Sequence, residues 1–112
     1  MATKAGYQSL FFTPGDTGFL GVGTWLQNIG FTEVLGSEET WYKGHERWQF
    51  NAVEDKFFYQ RFIDWLANRE PSKPFVSVLL SVTSHPPFVN PSTHQIDPEG
   101  SFRYVDAQLG EL

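Results

Sequence analysis

The sequence has no cysteine, few basic residues and no long apolar segment. The absence of Cys excludes disulfide bonds, zinc–thiolate sites and cysteine nucleophiles. Lys and Arg number 8 against 13 Asp and Glu, and the net charge of −5 gives no electrostatic footprint for nucleic acid or an anionic membrane. The longest apolar run, residues 75–82, is far shorter than the roughly 18 residues that a membrane-spanning helix needs.

Aromatic side chains are abundant and make up 17% of the 112 residues. With 40% hydrophobic and 19% charged residues, the composition is typical of a globular chain rather than a disordered one. The length allows one domain with a modest core. Because both ends of the chain fall in or beside helix-like segments, we expect residues 1–112 to be an internal segment of a single, larger domain.

The first third of the chain predicts a strand followed by a helix. Residues 7–12 are rich in aromatic side chains and are followed by a Pro-Gly pair, which is typical of a strand and its end. The helix that follows has Asp16 or Thr17 as its expected N-cap and Gly30 as its expected stop. The apolar face of this helix consists of Val22, Trp25, Leu26 and Ile29.

The middle of the chain predicts a short strand or extended link over residues 31–35, a loop over residues 36–50 and a longer helix over residues 52–68. Asn51 and Glu54 have the spacing of a capping box at the start of this helix. Its apolar face consists of Phe58, Phe62, Trp65 and Leu66.

The last third predicts a buried strand, a loop and a final helix. Residues 75–82 are apolar and β-branched without clean alternation, as expected for a strand of a parallel sheet that is buried on both faces. Residues 83–100 predict a long loop, and Ser101 is the expected cap of the helix that follows. The order of elements predicts an α/β fold, a mostly parallel sheet flanked by helices and incomplete in this chain.

Polar residues follow both long strands at the point where each is expected to end. Thr13 and Asp16 follow the first strand, and His85 follows the second. Ligands of open α/β sheets bind beyond the carboxyl ends of the strands, so these three are our candidate substrate-binding residues. Each also has a structural interpretation: a loop threonine, a helix cap and a histidine that bonds a nearby carbonyl.

Two exposed-looking aromatic segments suggest a different class of function. Trp41, Tyr42 and Trp48 could form a platform that stacks on sugars, which would make the chain a non-catalytic glycan-binding or structural module; such residues also commonly cover the edge of a core. We find no GxGxxG, P-loop, HExxH or GxSxG motif and no His pair with metal-ligand spacing. The chain therefore contains no self-sufficient catalytic or metal-binding constellation, and we expect neither in this segment.

Several motifs occur in an order that resembles a known family. They are Ala-Gly-Tyr-Gln-Ser-Leu-Phe-Phe (residues 5–12), Gly-Phe (30–31), Pro-Phe (74–75), Ser-His-Pro-Pro-Phe (84–88) and Tyr-Val-Asp-Ala-Gln-Leu-Gly (104–110). Together they resemble the middle of a sulfatase-type enzyme of the alkaline phosphatase superfamily. The branch that they resemble most includes sulfatase-like hydrolases, lipoteichoic acid synthases and phosphoglycerol transferases.

The resemblance implies an enzyme that hydrolyses or transfers sulfate or phosphate esters. In this family a Ser, Thr or formylglycine nucleophile attacks the ester, and a divalent metal, calcium or manganese, neutralises the anion. The histidine of the His-x-Pro-Phe motif helps to bind the anionic group, a role that carries over to His85. Such catalytic domains lie outside the cytoplasm or in the periplasm, often behind a membrane anchor.

The resemblance also has gaps. Neither the Gly-Lys-Trp-His motif of many sulfatases nor the His-Gly and Trp-Asn-Arg residues of lipoteichoic acid synthases follow the first strand, so Thr13 and Asp16 carry over by position only. The nucleophile and the metal ligands of the family are not matched in this chain. We therefore expect the chain to be inactive on its own, to depend on the rest of a parent chain, and to self-associate through exposed sheet edges.

Overall fold

The computed structural model describes residues 2–112, which form a small parallel sheet, three α-helices, four short 3₁₀ helices and one short hairpin. The helices are α1 (Val22–Asn28), α2 (Asp55–Asn68) and α3 (Pro98–Gly110). The strands are β1 (Gln8–Phe12), β2 (Glu33–Leu35), β3 (Phe75–Leu79), β4 (Val89–Asn90) and β5 (Gln95–Ile96). No helix within residues 2–112 is long and apolar enough to cross a membrane.

The sheet has the order β2–β1–β3, and both outer strands run parallel to β1. Five residue pairs join β1 to β3, from Gln8 opposite Phe75 to Phe12 opposite Leu79. Crossovers through helices connect the strands, as parallel pairing requires. The predicted α/β class with a parallel sheet flanked by helices is confirmed.

The hydrophobic core lies between β1 and α2. Alternate β1 side chains, Leu10 and Phe12, point towards α2 and are fully buried there with Phe58. Phe12 meets Phe62 edge to face, with ring centroids 5.2 Å apart. The helical periodicity of residues 52–68 therefore identified the correct buried face of α2.

The expected burial of residues 75–82 on both faces is wrong. Phe75 and Leu79 pack on the core side, whereas Val76, Val78 and Leu80 are exposed on the other side. The reason is position: β3 is an outer strand, and its second face is only partly covered, beside Ile29 and Phe31. The strand with neighbours on both sides is β1. Self-association through the outer strands β2 and β3 stays a prediction.

All three expected helix caps differ in the structure. Gly21, in a left-handed conformation with φ 68°, precedes α1 in place of Asp16 or Thr17. Glu54 is itself the N-cap residue of α2 and makes no side-chain cap bond, so the capping box with Asn51 does not form. The helix α3 starts earlier than expected.

The N-terminus of α3 falls inside the segment that the sequence predicts as a loop. Asp97 caps α3 by accepting a hydrogen bond from the Gly100 N–H at 2.9 Å. Ser101 is instead buried in the first turn, where its hydroxyl donates to the Pro98 carbonyl at 3.0 Å. The short antiparallel hairpin β4–β5 occupies another part of the same predicted loop.

We expect Phe58→Ala to lower the free energy of unfolding by about 3–5 kcal/mol, because Phe58 is 0% exposed and its loss leaves a cavity. Phe102→Ala is the matched control: this phenylalanine is also helical but 55% exposed, and its loss should cost less than about 1 kcal/mol. Urea unfolding followed by tryptophan fluorescence measures both. Equal losses would contradict the placement of the core.

Candidate functional site

The loop after β1, residues 13–18, is called the first loop. Its start is fixed by the sheet, because the Thr13 N–H donates to the Leu35 carbonyl at 3.0 Å and so extends the pairing with β2. The Thr13 hydroxyl oxygen accepts a hydrogen bond from the Gly15 N–H at 3.2 Å. Thr13 is buried, and its hydroxyl hydrogen remains available to donate.

Asp16 and Thr17 complete the first loop. The Asp16 carboxylate accepts a hydrogen bond from the Gly18 N–H at 2.7 Å, so it closes a local turn and does not cap α1. The Glu38 carboxylate accepts hydrogen bonds from both the backbone N–H and the hydroxyl of Thr17. Two acidic side chains are therefore held in place by the loop itself.

The chain that leaves β3, residues 80–88, is called the second loop. The Leu80 N–H donates to the Phe12 carbonyl at 3.0 Å, which carries the pairing with β1 one residue beyond β3. The carboxylate of Asp55, at the start of α2, then accepts hydrogen bonds from the N–H groups of Val82 at 3.0 Å and Thr83 at 3.1 Å. His85 follows in a turn, which is closed by a hydrogen bond from the His85 N–H to the Val82 carbonyl at 2.8 Å.

The His85 ring is exposed but oriented by two contacts. Its Nδ1 lies 2.8 Å from the Pro86 carbonyl oxygen, and because a carbonyl only accepts, Nδ1 carries the proton. The ring meets Phe50 edge to face, with centroids 4.6 Å apart. Nε2 is left as the nitrogen that can interact with a ligand.

The two loops line one pocket of about 240 Å³ at the carboxyl edge of the sheet. Thr13, Asp16 and His85 all line it, so the structure brings the three candidate residues together at the expected edge. The remaining walls are mostly apolar, with Phe11, Phe19 and Phe50 among them. This pocket is called the site pocket.

Sequence reasoning missed Phe50 and Asp55. Phe50 has a left-handed backbone with φ 60°, and its carbonyl accepts the Asp16 N–H at 3.1 Å, so it links the first loop to the His85 ring. A positive φ at a bulky residue is uncommon and is not detectable from composition. Asp55 lies at the start of a helix with an apolar face, and an aspartate in the first turn of a helix is common because it interacts favourably with the helix dipole. Its position in the sequence therefore gave no sign of a further role.

The other aromatic and histidine residues do not join this site. Tyr42 is only 1% exposed and belongs to the core, so it cannot form a sugar-stacking platform with Trp41 and Trp48. His45 is half-buried, and its ring centroid lies 4.4 Å from that of Phe57. His94 is exposed beside Trp48, away from the residues that line the site pocket.

The residues described do not by themselves fit a metal site. Within residues 2–112, no group of three or more His, Cys, Asp or Glu side chains could hold a metal ion. Asp16 is the acidic residue that lines the site pocket, and Glu38 bonds the neighbouring Thr17; the carboxylates of both accept hydrogen bonds from the first loop. We therefore derive no chemical step through a metal from this chain.

The fold is similar to those of two larger proteins. One is a protein of the alkaline phosphatase superfamily from Vibrio parahaemolyticus, with a TM-score of 0.75, 21% identity, and coverage of 97% of this chain and 28% of that chain. The other is the lipoteichoic acid synthase LtaP from Listeria monocytogenes, with a TM-score of 0.67, 22% identity, and coverage of 97% and 29%. At these identities the likeness shows the fold, which is alkaline-phosphatase-like, as predicted.

The sulfatase family model matches residues 1–109, nearly the whole chain. The chain therefore belongs to the sulfatase family, and the resemblance described from the sequence is confirmed. No curated protein matches it. The chain spans less than a third of the length of the two similar structures.

The pH dependence of stability should report the burial of Asp55. Burial raises the pKa of the Asp55 carboxyl above its usual range, and hydrogen bonds from Val82 and Thr83 offset part of this effect. The folded chain then holds the proton more tightly than the unfolded chain, in which the pKa of an aspartate is about 3.9. The stability contributed by Asp55 is therefore greatest below that pH and falls as pH rises through the folded pKa.

We accordingly expect the free energy of unfolding of the wild type, minus that of Asp55→Asn, to decrease between about pH 3 and pH 7. Taking the difference removes the contribution of every group that titrates alike in both proteins. Urea unfolding at a series of pH values gives the measurement. A difference that rises with pH would show that the hydrogen bonds outweigh burial at this carboxyl.

Proposed function

We propose that the chain forms part of the substrate site of an enzyme that hydrolyses sulfate or phosphate esters or transfers their anionic group, as a phosphoglycerol transferase does. In this proposal His85 binds the anion, and Thr13 and Asp16 line the same site. The observation that carries the proposal is the meeting of both strand-end loops in one pocket at the carboxyl edge of a parallel sheet. Membership of the sulfatase family supports the ester class.

His85 suits an anion through its fixed ring geometry. Since Nδ1 donates to the Pro86 carbonyl, protonation adds a hydrogen at Nε2, and the ring then presents a charged donor. A hydrogen bond from a charged donor is stronger than one from a neutral donor. In its charged form, His85 would therefore bind the anion through the Nε2–H group.

Thr13 and Asp16 play different parts in the proposal. The Thr13 hydroxyl can donate to an anionic oxygen, because its own oxygen already accepts from Gly15. The Asp16 carboxylate would repel an anion, so we assign it to hydroxyl groups on the alcohol part of the ester. Its first oxygen accepts from Gly18, and the second is free to accept.

Catalysis, in this proposal, belongs to a longer parent chain in which residues 1–112 are one segment of a single catalytic domain. The share of each similar structure that the chain covers supports this assignment. Family membership supports a nucleophile and a divalent metal, calcium or manganese, supplied by the parent protein. It likewise supports an extracytoplasmic or periplasmic location, with or without a membrane anchor.

We expect the 112-residue chain to bind inorganic phosphate or sulfate, and His85→Gln to weaken that binding about tenfold, because the charged donor is lost while a neutral one remains. Isothermal titration and the ring resonances of His85 measure the affinity. His94→Gln is the matched control, since His94 is an exposed loop histidine outside the site pocket. Equal effects of the two substitutions, or no binding at all, would refute the proposed site.

The same protein should not turn over an ester. Aryl phosphate and aryl sulfate substrates test this with a coloured product. Hydrolysis above the blank that disappears in His85→Ala would mean that the chain carries its own catalytic group, contrary to the proposal.

A further inference from the structure

The Asp55 carboxylate accepts its hydrogen bonds from the second loop rather than from the N–H groups of its own helix. Asp55 is 0% exposed, and both carboxylate oxygens accept backbone N–H groups, those of Val82 and Thr83. The Thr83 side chain also lies close enough to this carboxylate to lower its pKa. Burial of a carboxylate costs free energy unless its lone pairs are satisfied, and here the second loop satisfies them.

A continuous set of backbone hydrogen bonds leads from that carboxylate to His85. Asp55 holds the Val82 N–H, and the Val82 carbonyl accepts the His85 N–H at 2.8 Å. The His85 carbonyl in turn accepts the Phe88 N–H at 2.9 Å. The turn that carries the His85 ring is therefore anchored at its first residue by Asp55.

The same region of the chain also fixes the opposite wall of the site pocket. The Val53 N–H donates to the Pro14 carbonyl at 3.0 Å, two residues before Asp55. The Phe50 carbonyl accepts the Asp16 N–H at 3.1 Å. Residues 50–55 therefore contact both loops, so a shift at Asp55 changes the position of the second loop relative to the first.

We propose that Asp55 is a positioning residue that holds the turn bearing His85 in place against the site pocket. This inference rests on the proposed function, in which His85 binds the anion. It assigns no contact with substrate to Asp55, which is fully buried beneath the second loop. Its effect on anion binding passes through His85.

The test compares Asp55→Asn with Glu54→Gln. Each removes one acidic group at the start of α2, but the Glu54 carboxylate accepts its hydrogen bond from the Tyr104 hydroxyl, at 2.8 Å, rather than from the second loop. An asparagine has one acceptor oxygen, so at least one of the Val82 and Thr83 N–H groups loses its partner. We expect that amide to exchange with solvent about tenfold faster or more, and the His85 ring resonances to shift, in Asp55→Asn only.

The affinity for inorganic phosphate supplies a second readout. If Asp55 acts through His85, Asp55→Asn weakens phosphate binding when His85 is present. In a protein that already carries His85→Gln, adding Asp55→Asn has no further effect, so the two losses of affinity do not add. Losses that add in full would overturn the inference, because Asp55 would then act independently of His85. All measurements are made well below the unfolding temperature of each variant.

Failure of the inference and failure of the proposed function are distinguishable. If the wild type does not bind phosphate, the proposed function fails, while the amide exchange and His85 resonances still decide the role of Asp55. If the wild type binds phosphate but Asp55→Asn leaves those signals unchanged, the positioning role is refuted and the site stands. If Asp55→Asn does not fold, Thr83→Val removes only the hydroxyl contact with the same carboxylate and should give smaller changes of the same kind.

Discussion

β1 and β3 run parallel through five residue pairs, and both loops that line the site pocket depend on that pairing. Parallel strands end at the same edge of a sheet, so the chain after Phe12 and the chain after Leu79 emerge side by side. The Leu80 N–H extends the pairing by bonding the Phe12 carbonyl. An antiparallel β3 would place His85 at the far edge, away from Thr13, whatever the local sequence around it.

The sheet brings the loops to one edge, and residues 50–55 then fix the distance between them. This segment is remote in sequence from both loops, yet it holds the first through Phe50 and Val53 and the second through Asp55. Such a link makes the shape of the site pocket a property of tertiary structure rather than of either loop. It also explains why an uncommon backbone conformation at Phe50 is retained beside His85.

The three strands of the parallel sheet, the longer helices and the edge that carries the site could be predicted because they depend on hydrophobic periodicity and strand direction. The exposure of Val78 could not be predicted, since an apolar run looks the same for a central strand and for an outer strand with one largely uncovered face. Caps were also mispredicted: Asp16 and Ser101 form local bonds in turns that compete with capping. Asp55 was missed because its partners lie 27 and 28 residues away.

The net charge of −5 and the Asp16 carboxylate beside the site pocket both oppose the binding of an anion, so a positive group is needed at the site itself. Asp16 and Glu38 accept hydrogen bonds from the first loop, which orients their lone pairs towards backbone and hydroxyl donors. Among the described residues that line the site pocket, His85 alone can carry a positive charge. The orientation of this one imidazole therefore decides where the surface presents a positive hydrogen-bond donor to an anion.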